Sequence, residues 1–125
     1  MFSRLEPYAY ALFRFVFGFL LFFHGIQKLF GVYGGRQAAL FSLRGLAGVL
    51  ETVGGPLVAI GWFTAPTAFV LSGLLATAYF MVHQPRALWP IQNDGENAAL
   101  FSFAFLYIAT RGAGVWSLGG GRRRR

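Results

Sequence analysis

The strongest constraint on this chain is an apolar run over residues 8–30, interrupted only by Arg14, His24 and Lys28 among residues that carry or can gain a full charge. A helix that crosses the hydrocarbon core of a bilayer needs about 20 mostly apolar residues, and this run supplies them. Arg4 ahead of the run imitates a secretory signal. However, the run exceeds the roughly 7–15 residues of a signal's apolar region, and no small-x-small cleavage pattern closes it, so it reads as a retained first helix. Three more segments follow, at about 43–63, 66–83 and 95–110. With 56% hydrophobic and 12% charged residues, lipid is the expected solvent for all four. The expected fold is an all-α membrane protein: a single domain over 1–125, forming a four-transmembrane-helix bundle with a basic tail at 111–125.

The breaks between segments have local causes. Gly31, Gly34 and Gly35 end the first, and residues 32–42 form a mixed loop carrying Arg36. The second contains Glu51 and Gly54-Gly55-Pro56. Thr64-Ala65-Pro66 reads as a tight turn, because proline fixes its own backbone angle and pushes the preceding residue out of helix. The third segment has no charge before His83. A polar loop with Pro85 and Pro90 leads to Asp94-Gly95, which is expected to open the fourth segment. Asp94, Glu96 and Asn97 would then face the unpaired N–H groups of its first turn. Trp116 reads as an interfacial aromatic.

The formal charge of +7 includes Arg122–Arg125, four of eleven basic residues. On so apolar a chain such a run reads as a cytoplasmic anchor near anionic headgroups, and nucleic acid is not an expected partner. Four crossings put both termini on one side. The tails carry six basic residues against four in the two charged loops and their flanks, which favours cytoplasmic termini. The absence of cysteine excludes thiol chemistry and Cys-ligated zinc or iron–sulfur centres carried by this chain, and no metal site is expected. A redox role would need a bound cofactor or a partner.

A charged side chain near a spanning helix's centre costs about 2.5–3.5 kcal/mol, so each needs a partner, a cavity or a function. Arg14, Gly18, Leu21, Gly25 and Lys28 follow steps of four and three and form one stripe on the first helix. Gly48, Glu51 and Gly55 repeat the pattern with opposite charge on the second. Packed through these small residues, Glu51 falls within reach of Arg14 or Lys28; such a pair can serve chemistry or only fix helix register. Pro56 frees the Thr52 carbonyl beside Glu51. His24 and His83 fall near the outer ends of their helices. Paired histidines can ligate haem, but hydrogen bonding or contact with water is the stronger reading and haem is not expected. Glu96 starts a stripe through Leu100, Phe103 and Tyr107. The outer half of the bundle is thus expected to gather His24, Lys28, Glu51, His83, Asn93, Glu96 and Asn97 beneath Trp89. Such a region suits a quinone head group, whose edge needs hydrogen bonds and whose body needs aromatic contact. A purely structural polar network fits equally well.

At these residues the chain resembles the DoxX family of small bacterial membrane proteins. The likeness rests on the span from Arg14 to Gly18, on His24-Gly25-Ile26-Gln27-Lys28, on Glu51-Thr52-Val53-Gly54-Gly55 with Gly61 and Thr64, on Asn93-Asp94-Gly95-Glu96-Asn97-Ala98 and on Gly112-Ala113-Gly114. The resemblance implies a four-helix bundle in the inner membrane. Its best-known members are described as the small subunit of a thiosulfate:quinone oxidoreductase, and others are linked to membrane complexes that answer redox stress. A chain without cysteine would not itself carry the sulfur chemistry.

Two functions follow. In the first, a membrane subunit binds a quinone-like ring in the outer half and passes electrons with a partner oxidoreductase. Glu51 and Glu96 would handle protons, His24 and His83 would hydrogen bond the ring oxygens, and Arg14 and Lys28 would hold the carboxylates ionised. In the second, a non-catalytic scaffold uses its buried charges only for packing. Glycine-rich faces leave self-association open.

Overall fold

A computed structural model describes residues 2–119, and the Arg122–Arg125 run lies outside the described residues. Among these, the regular structure is entirely helical. A short 3-10 turn, Phe2–Leu5, leads into α1 (Glu6–Phe30). Then come α2 (Leu43–Ile60), α3 (Thr64–Ala78) with a π-helical extension over Tyr79–His83, a single turn α4 (Pro90–Asn93) and α5 (Glu96–Arg111).

The ends of these helices are set by particular residues. Gly31 takes a left-handed backbone (φ 71°), and its N–H closes α1 on the Gln27 carbonyl at 2.8 Å. Ser42 caps α2 by accepting from the Gly45 amide at 3.0 Å. The turn expected at Thr64-Ala65-Pro66 lies earlier. Gly61 ends α2 in a left-handed conformation, Phe63 is also left-handed, and Thr64 already belongs to α3. Pro66 falls in the first turn of α3, where an N–H has no helical acceptor to lose. The second helix therefore stops at Ile60, while α2 runs unbroken through Pro56. Asp94 likewise does not open α5. It closes α4 with a left-handed backbone and faces Arg86 at 3.6 Å.

The packing is built from two helix pairs, α1 on α2 and α3 on α5, linked where α2 meets α3. The α1–α2 seam follows the glycines. A Cβ placed on Gly18 would sit 2.5 Å from the Gly55 carbonyl oxygen, and one on Gly25 would sit 2.5 Å from the Thr52 amide nitrogen. The two backbones thus touch, as small residues at helical spacing permit in membranes. In the second pair the Ser72 hydroxyl donates to the Ser102 carbonyl at 2.8 Å, and the Ser102 hydroxyl returns the bond to the Ser72 carbonyl at 3.0 Å. Leu21, Val58, Leu71, Phe105 and Ile108 join the pairs in one core.

Outside this core the surface is apolar. Phe15, Phe19, Val53, Phe69, Phe80 and Phe103 are all exposed, a distribution suited to contact with acyl chains. Phe2–Phe30, Leu43–Ile60 and Thr64–His83 are long and apolar enough to span a bilayer, with mean hydropathies of 1.7, 1.3 and 1.6. The protein is a membrane protein in which, among the described residues, three helices meet this length and apolarity, and α5 is not one of them. With 16 residues, α5 extends about 24 Å, short of the roughly 30 Å hydrocarbon core. Its buried face is Phe101, Ala104, Phe105 and Ile108. The expected stripe through Glu96, Leu100 and Phe103 points away from the bundle, and Tyr107 alone of that set turns partly inward, against Tyr10 and Phe13.

Gly25→Ala should destabilise the α1–α2 pair by about 1–3 kcal/mol, because backbone atoms of Thr52 and Glu51, as well as the Thr52 hydroxyl, stand in the way of its Cβ. Gly73→Ala, whose Cβ meets nothing within 4 Å, should be neutral or slightly stabilising. Unfolding in a mixed detergent titration compares them, and equal effects would contradict the seam.

Candidate functional site

Lys28 occupies the last turn of α1 and Glu51 the middle of α2, and the glycine seam brings them together. The lysine Nζ donates to both carboxylate oxygens of Glu51, each at 2.7 Å. The Glu51 side chain is 2% exposed and that of Lys28 is 23% exposed, so the pair is reached from the lysine side only. One residue on, the Thr52 hydroxyl is buried with no partner. His24 lies one turn before Lys28, half-buried, its ring edge-on to Phe101 of α5 at 5.6 Å. At this seam, then, are an ion pair, an unused hydroxyl and an imidazole, bordered by aromatic rings.

Arg14 is not part of that group. It sits about 21 Å from Lys28 along α1 at the helical rise of 1.5 Å per residue. It is 2% exposed, and its guanidinium donates to the carbonyls of Ala113, Val115 (3.1 Å), Trp116 (2.8 Å) and Ala59 (3.3 Å). The expectation that Arg14 holds a carboxylate ionised is therefore replaced. Its partners are one carbonyl dipole of α2 and three of the segment after α5, which folds back over the α2 end through Leu118 N–H to Ile60 O and Gly119 N–H to Gly61 O, both at 3.0 Å.

The remaining expected residues divide. Asn93 is buried and fully engaged: its Nδ2 donates to the Tyr79 hydroxyl and the Ala87 carbonyl at 3.1 Å each, and its Oδ1 accepts from the Gly95 amide at 2.8 Å. His83 Nδ1 lies 3.0 Å from the Asn93 carbonyl. The π turn allows this, since its wider ring (Gln84 N–H to Tyr79 O, 2.9 Å) presents Tyr79 and His83 together to the loop. This cluster shapes the α3–α5 connection. Glu96 and Asn97 are exposed on the first turn of α5, outside both buried groups, and Trp89 is exposed in its loop. Among the described residues no group of three or more His, Cys, Asp or Glu is arranged to hold a metal ion. The sequence reading did not identify the roles of Tyr79, of the Thr52 hydroxyl or of the tail carbonyls. Tyr79 stands four residues before His83, a spacing that could have shown it.

The model of the DoxX family matches residues 9–84, more than half of the chain. The chain belongs to the DoxX family. The match takes in Arg14, His24, Lys28, Glu51 and His83, while Asn93, Glu96 and Asn97 lie beyond it. This DoxX protein is also 37% identical over 123 residues to a Haemophilus influenzae protein described as uncharacterized, covering 93% of this chain and 92% of the relative. No solved structure matches it.

Removing one member of the buried pair strands the other. Lys28→Met should destabilise the protein by about 3–5 kcal/mol, and Lys28→Met combined with Glu51→Leu should recover most of the loss. A double-mutant cycle by detergent unfolding measures this, and additive losses would show that the two side chains do not interact.

Proposed function

We propose that this DoxX protein is a subunit of a redox-associated membrane system that binds a quinone-like ring beside Lys28 and Glu51 and works with a partner oxidoreductase. The observation that carries this reading is a buried carboxylate held by a lysine that stays partly exposed, inside a span where a charge has no value for solubility. Lys28 and His24 supply donors for ring oxygens, Phe101 supplies an aromatic wall, and Glu51 supplies a proton acceptor. Glu96, being exposed at the start of α5, is left without a place in this site. His83, already engaged with Asn93, supports the loop instead.

A second reading, a non-catalytic scaffold, is favoured by the symmetry of the same pair. Both Glu51 oxygens are satisfied by one ammonium at a seam set by glycines, and that alone fixes register.

In either reading α5 crosses the inner membrane as a fourth span alongside α3, with both termini cytoplasmic. The reading draws on the chain's charge. In the sequence the two tails carry Arg4, Arg111 and Arg122–Arg125, whereas the two charged loops and their flanks carry Lys28, Arg36, Arg44 and Arg86. Because the chain has no cysteine, single cysteines at Ser3, Arg36 and Ser117 report sidedness directly. Only the Arg36 position should label from outside intact cells, and labelling of Ser117→Cys from outside would remove the fourth crossing.

For the redox reading, the purified protein should bind a short-chain quinone in calorimetry, and Glu51→Gln should weaken that binding at least tenfold per folded molecule. No quinone binding by the wild-type protein would sink it. Loss of folded yield with unchanged binding per molecule would favour the scaffold.

A further inference from the structure

The two helix pairs also meet along α1 and α5, and there the contact is a row of rings. Tyr10 and Phe13 of α1 lie edge-on to Tyr107 of α5, while Phe17 and His24 lie edge-on to Phe101, with centroids between 5.3 and 6.0 Å apart. Partners on α5 fall in number as those on α1 rise, so the two helices run antiparallel. Lys28 stands one turn past His24, and Asn97 one turn before Phe101. At the helical rise of about 1.5 Å per residue, both lie about 6 Å beyond the last ring contact, at the same level of the bundle. Among the described residues no aromatic contact joins α1 to α5 at that level, so the row stops one rung short.

Asn97 belongs to the face that α5 turns inward. It precedes Phe101, Ala104, Phe105 and Ile108 by steps of four, seven, eight and eleven, the spacing of one helix stripe, yet those four are buried and Asn97 is exposed. An exposed residue on an otherwise buried stripe marks a level at which the space between helices is open. The polar groups that border this space are unspent. Lys28 Nζ carries three hydrogens and commits two of them to Glu51. Neither the His24 imidazole nor the Asn97 amide makes a side-chain hydrogen bond among the described residues. One polar wall is therefore on α1, another on α5, and the Phe101 ring lies beneath them.

We propose that Asn97 is a specificity-determining residue: resting on the quinone reading given above, the ring beside Lys28 is a para-dione that bridges α1 and α5, one carbonyl accepting from Lys28 and His24 and the opposite one from the Asn97 amide. A flat apolar body supplies the missing rung of an aromatic row. An acyl chain would leave three hydrogen-bonding groups without partners, and water alone would leave the Phe101 ring wet. Carbonyls on opposite edges let a single ring serve both walls, whereas a ring with one carbonyl reaches only one of them. Lys28, the stronger donor because it is charged, takes that single carbonyl and leaves Asn97 idle. The amide on α5 thus separates a para-dione from a mono-ketone of similar shape.

Calorimetry of the full-length protein in detergent tests this with two probes, para-naphthoquinone and alpha-tetralone, a fused ring of similar size with one carbonyl. The wild-type protein should bind the naphthoquinone roughly five- to tenfold more tightly than the tetralone, the worth of one further hydrogen bond. Asn97→Leu should remove that advantage and leave tetralone affinity within about twofold of wild type, a ligand-dependent loss that a merely structural role would not produce. Asn97→Ala serves in its place if the leucine variant folds poorly. Glu96→Gln, beside it on the outward stripe, should change neither affinity. Equal wild-type affinity for the two rings would overturn the proposal, as would an Asn97 variant that keeps the advantage or loses both ligands alike. In those cases binding that still depends on Glu51 would leave the quinone reading standing without its α5 wall. Binding of neither ring by the wild-type protein would remove both.

Discussion

The contact on which the rest of this structure depends is the close approach of two backbones, α1 against α2, at Gly18, Gly25 and Gly55. Within lipid there is no gain from hiding apolar side chains from water, so helices associate through close packing and polar bonds. Side chains at these positions would hold the helices apart, and a lysine near the end of one helix would then not reach a carboxylate in the middle of the other. The ion pair is thus a consequence of the seam as much as a support for it. The second pair, α3 on α5, relies on another device, the reciprocal hydroxyl-to-carbonyl bonds of Ser72 and Ser102.

Much of the first seam could be read in the sequence. A charge inside an apolar run is costly, and residues at steps of three and four share a helix face. Arg14, Gly18, Leu21, Gly25 and Lys28 therefore declared a stripe, and Gly48, Glu51 and Gly55 declared its counterpart. The partner of Glu51 was not legible, because both cations lie on that stripe and only the relative register of the helices selects Lys28. Arg14's acceptors are backbone carbonyls, which every residue possesses, so no residue type in the tail announces them.

The inward face of α5 was unreadable for a different reason. In water, an apolar stripe marks the core; in lipid, both the packed and the outward faces are apolar, and the stripe from Glu96 looked as good as the one through Phe101 and Phe105. Asp94 misled by its type: an acidic residue before a helix suggests a cap, yet here it closes the preceding turn, and Asn93 bonds the Gly95 amide instead. At the candidate site a basic partner for Glu51 was foreseeable though not which one, and the separate Asn93–His83 group depends on a π turn that the sequence did not signal.

The fold-back of the tail onto Arg14 has a bearing on the order of assembly. The carbonyls that surround this guanidinium belong largely to residues 113, 115 and 116, some hundred positions later in the chain. During synthesis the first helix must therefore enter the bilayer carrying a cation whose permanent acceptors do not yet exist, relying on water or headgroups at the membrane margin in the interim. Completion of the last segment is what retires that charge, so the earliest helix to be made is among the last parts of the molecule to become fully settled.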